Sequence, residues 1–410
     1  MLKLDLVQTV AFAGLVLFAG YGLRRLIRPL ERFNIPAPVI GGLLVSLATL
    51  IFHHYRITPI QFDTTLRDPL MIAFFTTIGF AASLSLLKVG GPQVLLFYLT
   101  ATVMVVLQNV LGIILAVPFG VHPLLGVICG SVTQTGGPAT ALAFGPVFEQ
   151  AGVSGATTAA VAAAIFGIIS GGLLGGPVGT LLIEKKRLKR AKIKGLKTEV
   201  PAEAEEVVEE LLDRGKTPEA GEEKPGSFIL LKSVVVILLA MWAGSWVSKW
   251  FSSLGITLPA YIGAMLVAAI FRNFDDLTGW LGLDQKTIDD LGHVALNLFL
   301  VMALMTLKLW ELAGLFLPML VILAAQVILV ALAAMVIFRL MGRDYEAAVM
   351  SAGYCGFGLG TTANAMANMK AIVERYGSAP RAFLVVPMVG AFFIDFSNAV
   401  IITLFLNIFK

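Results

Sequence analysis

The sequence predicts an all-α membrane protein made of two inverted-topology repeats, each of five transmembrane helices plus one re-entrant hairpin, and three observations carry that prediction. Apolar runs of spanning length recur along nearly all 410 residues, of which 58% are hydrophobic and only 14% charged, less charge than a soluble fold of this size carries. A single polar linker interrupts them near the middle. Each half holds one glycine-rich segment that cannot continue as a regular helix. A spanning helix needs about 20 predominantly apolar residues, whereas a barrel strand needs about 10 of alternating polarity. Runs such as Val94 to Val117 and Leu315 to Phe338 do not alternate, so they read as helices.

The first run, Val7 to Leu23, lacks the strong basic n-region and small-residue exit of a signal peptide and reads as a retained span. Further spans are expected near 37–52, 70–87, 94–117 and 155–183, with the segment 124–150 left over. Residues 184–227 form a charged linker, basic from Lys185 to Lys197 and acidic from Glu203 to Glu210. The basic part reads as a solvated cytoplasmic anchor rather than a headgroup site. Gly215-Lys216-Thr217 imitates the end of a phosphate loop, but Glu210 stands where that motif needs its first glycine and no strand precedes it. The net charge of +4 does not point to nucleic acid, because the basic residues mostly flank apolar runs. Cys129 and Cys355 lie in apolar, glycine-rich segments and read as small buried side chains.

The second half gives spans near 228–250, 256–271, 288–307, 315–338 and 382–409, with 346–369 left over. Arg24, Arg25, Arg28 and Arg32 after the first span, and the linker, belong in the cytoplasm by the positive-inside rule, which leaves both termini outside. A single crossing by 124–150 would bring the linker out on the wrong side, so that segment is expected to be a re-entrant hairpin from the outer face. Arg339, Arg343, Lys370, Arg375 and Arg381 hold both ends of 346–369 in the cytoplasm, so the second hairpin enters from the opposite face. Five crossings is an odd number, so the repeats, 1–183 and 228–410, are inverted. Weak internal matches agree: Pro36-Ala37 returns as Pro259-Ala260, and Glu149 and Gly152 return as Glu374 and Gly377. Inverted repeats with broken helices near the midplane are the construction of many secondary transporters.

The expected chemistry lies at the breaks. In the first, Ser131, Thr133, Thr135, Gly136 and Gly137 combine hydroxyls with a helix-breaking turn, where freed backbone groups face a cavity and a helix N-terminus suits a carboxylate. In the second, Gly356, Gly358 and Gly360 precede Thr361, Thr362 and Asn364, a pattern for close backbone approach to a ligand. The alternative for both is a kinked helix packed through small residues. Asp395 stands near the middle of the apolar run from Ala382 to Phe409, with Asn398 one turn on. An ionisable group at that depth marks an ion path by default, and with neutral oxygens beside it this one fits sodium, a proton being the other candidate. The alternative is an interhelical hydrogen bond from a neutral Asp. Gln108 and Asn109 interrupt the fourth span at mid-depth and join the sodium set, with Gln326 in the related span; amides there also glue helices. Lys88, Lys308 and Glu311 lie at span ends and are expected to snorkel.

The stretches Ala352 to Gly360, Ala367-Asn368-Met369, Phe383 to Asp395, Arg67 to Met71 and Leu307 to Leu312 closely resemble the bacterial glutamate:sodium symporter family, over nearly the whole chain outside the linker. The resemblance implies sodium-coupled uptake of L-glutamate across the bacterial inner membrane, with sodium as the co-transported ion. It also implies homodimers embedded in lipid and an elevator-like alternation. The family's glycine-rich turns match Gly136-Gly137 and Gly356 to Gly360. Two departures keep open a carrier for another organic anion, coupled to sodium or protons. Thr135-Gly136-Gly137-Pro138-Ala139 stands where the family reads Ser-Gly-Gly-His-Gly, and Tyr354 stands where it tends to have His. An intramembrane enzyme is a remote alternative: His53, His54, His122 and His293 lie at or near expected span ends, and no His-Glu-x-x-His or Gly-x-Ser-x-Gly pattern occurs. A channel is equally remote, because no repeated filter sequence is present.

Overall fold

The computed structural model describes residues 2–55, 60–85, 91–186, 188, 226–312 and 314–410, so nearly all of the expected linker, and Lys88 with it, lies outside the described residues. What is described is almost wholly helical; a two-residue parallel pairing of β1 (Leu2–Lys3) with β2 (Ile60–Gln61) is the exception. The first half contains α1 (Leu6–Leu26), the short α2 (Arg28–Arg32), α3 (Ala37–His54), α4 (Arg67–Ala81) and α5 (Gly91–Ala116). It continues with α6 (Pro123–Val127), α7 (Gly137–Gln150) and α8 (Ala156–Lys185). The second half contains α9 (Gly226–Ser253), α10 (Ala260–Thr278), α11 (Gln285–Leu304) and α12 (Phe316–Leu340). After these come α13 (Tyr345–Gly358), α14 (Thr362–Tyr376), α15 (Pro380–Met388) and α16 (Ile394–Phe409).

Among the described residues, seven helices are long and apolar enough to cross a membrane: α1, α3, α5 with its 3₁₀ extension to Phe119, α8, α9, α11 and α12. Their outer faces leave Phe18, Leu99, Leu238 and Leu320 exposed, which a hydrocarbon surround accepts and water does not. The chain is a multi-pass membrane protein.

Three expected spans differ from expectation, each for a local reason. The one at 70–87 stops at Ala81, giving a 15-residue helix about 22 Å long. The one at 256–271 starts only at Ala260, behind Pro259, and runs on to carry Arg272, Asp275 and Asp276 in its last turns. The one at 382–409 is interrupted by a π-helical turn, Val389–Phe393, two residues after Pro387. Asp395 therefore sits not in the middle of an unbroken helix but in the first turn of α16.

The internal matches fall at equivalent places. Pro36 and Pro259 are the residues at which α3 and α10 begin. Gly152 and Gly377 follow the ends of α7 and α14 with φ of 97° and 109°, a backbone conformation that glycine adopts without strain.

Packing sorts the helices into two bundles, and neither bundle is a sequence half. One gathers α1, α3, α4, α9, α10 and α11; the other gathers α5 to α8 with α12 to α16. Within the second, α8 presents Gly167, Gly171, Gly175 and Gly179 at four-residue intervals to α13 and α14. A Cβ on Gly167 would stand 2.2 Å from Leu359 O, and one on Gly175 would stand 2.1 Å from Asn368 Nδ2. Only a bare backbone admits the neighbour this closely.

The bundles meet through apolar as well as polar contacts: Phe144 of α7 stands edge-on to Tyr261 of α10 at 5.3 Å, and Leu142 and Val161 share a buried cluster with Ile40 and Phe299. Asn407 of α16 clasps the backbone of Thr257, accepting from its N–H at 2.7 Å and donating to its carbonyl at 2.9 Å. At the same level of the molecule, Gly155 packs against Glu311, with 3.2 Å between a Cβ built on the glycine and the Glu311 Cβ.

Candidate functional site

Both glycine-rich segments are broken helix pairs. In the first, α6 passes into a π-helical turn, Ile128–Val132, in which Gly130 leaves helical geometry at φ −89°, ψ −132°; the chain then turns and restarts as α7. In the second, α13 ends at Gly358, Leu359-Gly360-Thr361 turn the chain, and α14 begins at Thr362. The two turns meet: a Cβ on Gly137, whose φ is +63°, would lie 2.9 Å from Gly360 O. That juncture brings the N-termini of α7 and α14, both positive helix ends, to one place, and the C-terminal ends of the preceding legs, both negative, lie beside them.

The expected ligand residues divide by what they already hold. Thr133 donates to Ile128 O at 2.7 Å and accepts from Gln134 Nε2 at 3.0 Å, so its hydroxyl is spent inside the turn. Thr135 donates to Gln108 Oε1 at 2.7 Å. Thr361 caps α14 through a 3.4 Å bond from Asn364 N, and Thr362 donates to Gly390 O at 2.7 Å. Ser131 Oγ is buried without a partner. Gly136 is folded over Thr140, Gly356 lies against the start of α14 at Ala365, and Gly358 lies against the Tyr354 ring. At the juncture Gly136, Ala139, Thr361 and Thr362 keep partial exposure and Ala363 is open.

Of the expected sodium set, Gln108 spans the two turns: its Oε1 accepts from Thr135 while its Nε2 donates to Gly358 O at 2.8 Å, and Gln326 Nε2 donates to its main-chain oxygen at 2.8 Å. Asn109 Oδ1 accepts from Ser131 N at 2.9 Å, which leaves only its Nδ2, a donor, without a partner. Asn398 Nδ2 donates to Ser131 O at 3.1 Å, tying α16 to the first turn, and its Oδ1 is buried and unpartnered. Asp395 lies one turn before Asn398 and is half-buried. No hydrogen bond or ion pair to its carboxylate occurs among the described residues.

Sequence reasoning missed Gln134 as a site residue and left Gln326 outside the set. Both are fully buried, and Gln134 Oε1, Gln326 Oε1 and Asn364 Oδ1 join Ser131 Oγ and Asn398 Oδ1 as oxygens without partners. Leaving such an atom buried and unpaired costs about 1–3 kcal/mol. Each of these oxygens is left able to accept a further hydrogen bond or to face an ion. The signal for Gln134 was its position amid three hydroxyl residues in a broken segment.

The two departures in sequence have packing roles. Pro138 is the second residue of α7, where its fixed φ and missing N–H suit a helix start. Tyr354 is buried in the second bundle with its ring edge-on to Phe97 and Phe357, at centroid distances of 6.4 and 5.1 Å.

Residues 2–378 match a family model described as sodium/glutamate symporter. The sodium/glutamate symporter of Escherichia coli (strain K12) is 42% identical over 408 residues, covering 99% of this chain and 98% of that protein. That of Haemophilus influenzae is 39% identical over 397 residues, covering 96% and 95%. Among solved structures, a sodium proton antiporter from Methanocaldococcus jannaschii is similar at TM-score 0.44 and 17% identity, covering 98% of this chain.

Proposed function

The chain belongs to the sodium/glutamate symporter family, and from that premise we propose that it carries L-glutamate into the cell with sodium, binding both where the two turns meet. The observation that carries this reading is the convergence of two helix N-termini, those of α7 and α14, beside a set of buried oxygens without partners. Glutamate bears two carboxylates, and two positive helix ends match them without a buried arginine. The Thr361 hydroxyl, which accepts from Asn364 N and keeps its own proton, supplies an adjacent donor at the partly exposed juncture. Sodium takes hard oxygen ligands; Asp395, Asn398 and Ser131 supply them from α16 and the first turn. Gln108 and Asn109 act as braces that hold the turns around the ions, a narrower role than ligation.

The chain is read as two inverted repeats, 1–183 and 228–410, with re-entrant hairpins at 124–150 and 346–369 entering from opposite faces. Support comes from contacts that join only ends assigned to the same side. Leu2 pairs with Ile60 and Thr257 with Asn407 on the side assigned outside, and Glu184 pairs with Arg375 on the side assigned to the cytoplasm. Both termini lie outside, the linker in the cytoplasm, and the protein sits in the bacterial inner membrane as a homodimer surrounded by lipid. The bundle that holds both hairpins moves as a unit against the other in an elevator-like alternation, a reading supported by the sorting of the helices into two packed groups.

The test is uptake of radiolabelled L-glutamate into proteoliposomes under an inward sodium gradient, with potassium as the control. Accumulation only with sodium is the expected result. Uptake that follows a pH gradient and ignores sodium overturns the coupling, and accumulation of other organic anions but not glutamate overturns the substrate.

A further inference from the structure

We propose that the protein binds a second sodium ion at a carboxylate-free site where both turns meet α8, formed by Gln134 Oε1, Asn364 Oδ1 and the main-chain oxygen of Leu359. The proposal rests on the symport reading above and adds an ion to it.

The orientation of both amides is set by partners that can only accept. Gln134 Nε2 donates to the carbonyl of Ala163 at 3.2 Å, so the opposite end of the amide is the oxygen; it is fully buried and has no partner. Asn364 Nδ2 donates to the carbonyl of Ile168 at 2.7 Å, and its Oδ1 is likewise buried and unpartnered. Ala163 and Ile168 lie on α8 to either side of Gly167.

A Cβ on Gly167 would stand 2.9 Å from Gln134 Oε1 and 2.2 Å from Leu359 O, so these oxygens crowd one point on the bare backbone of α8. Leu359 is the residue at which α13 stops, so its carbonyl sits at the negative end of a half-helix. Outside regular helices no backbone hydrogen bond to it occurs among the described residues. Unwound carbonyls and half-helix C-termini are groups that hold monovalent cations in broken-helix transporters. The absence of a carboxylate from the trio favours a single positive charge over a divalent ion, which draws on carboxylates.

The first cation lies against α16 with Ser131 and Asn398, and this one lies against α8 with Gln134 and Asn364. The first is held by the first turn and α16, the second by residues of both turns against α8. With glutamate carrying one net negative charge, one sodium makes the cycle electroneutral, whereas two carry one positive charge inward.

The decisive experiment measures charge moved per glutamate in proteoliposomes, with a potassium gradient and valinomycin setting the membrane potential. Two sodium ions predict one charge per glutamate and second-order sodium activation. They also predict roughly fifty-fold greater limiting accumulation when the interior is made about 100 mV negative. Sodium-dependent uptake that moves no charge overturns this inference alone and leaves the symport reading standing; loss of all sodium dependence overturns both. Gln134→Met keeps the length of the side chain and removes the oxygen, and is expected to reduce sodium activation to first order. A variant that remains second-order overturns the assignment. If Gln134→Met does not fold, the charge ratio of the unaltered protein still decides.

Discussion

Asp395 is the residue on which coupling is expected to turn. Asp395→Asn preserves shape and removes the only carboxylate in the proposed first cation site. Sodium-driven glutamate uptake should be lost while the purified protein keeps its melting temperature. Unchanged coupling in proteoliposomes would remove Asp395 from the site. Gln108 makes the contrasting case. Gln108→Leu leaves Gly358 O and the Thr135 hydroxyl buried without their partner, at about 1–3 kcal/mol each. The melting temperature of this variant should fall measurably, because here the side chain joins the two turns. Both residues were legible in the sequence as polar groups at membrane depth. Their division into ligand and brace was not, because it depends on which neighbours reach them across about 250 residues of chain.

At the scale of elements, the glycine-rich segments were read as helix breaks, and each is a helix, a turn and a second helix with the turn at the expected residues. Glycine and proline act locally, on the backbone of their own residue and the next, so sequence suffices to place them. The π-helical turn at Val389–Phe393 had a weaker signal: only Pro387 and Gly390 interrupt a run from Ala382 to Phe409 that otherwise reads as an apolar helix. The glycine ladder on α8 lies between these cases. Its spacing is visible, but that it faces carbonyls of α13 is a matter of tertiary packing. Gly167→Val would drive a branched side chain into Leu359 O and Gln134 Oε1. Overpacking of this kind typically costs about 1–3 kcal/mol. We expect both a lower melting temperature and loss of uptake; normal uptake would show that α13 and α8 need not approach so closely.

For the whole molecule, the division into two bundles makes a prediction about motion. If the hairpin bundle must travel, a covalent tie to the other bundle should stop transport. Gly155→Cys with Glu311→Cys places two thiols on Cβ positions 3.2 Å apart, close to the range a disulfide spans of about 3.5–4.5 Å. A non-glycine residue at the left-handed Gly155 costs about 1–2 kcal/mol, which a folded membrane protein tolerates. Oxidation of the pair should block glutamate uptake, and a reductant should restore it. Uptake unaffected by the crosslink would rule out relative movement at this end of the interface.

By itself the sequence determined that the chain is helical and membrane-embedded, where its two breaks fall, and which polar residues lie at depth. Those properties follow from hydrophobic length, from backbone chemistry and from the high free energy of polar groups in hydrocarbon, all of which act through short stretches of chain. Tertiary structure alone decided that each bundle takes helices from both halves, that the two turns meet at Gly137 and Gly360, and which oxygens remain unpartnered there. Those outcomes depend on contacts between residues far apart in sequence, and a hydrogen bond made or left unmade at that range leaves no local pattern to read.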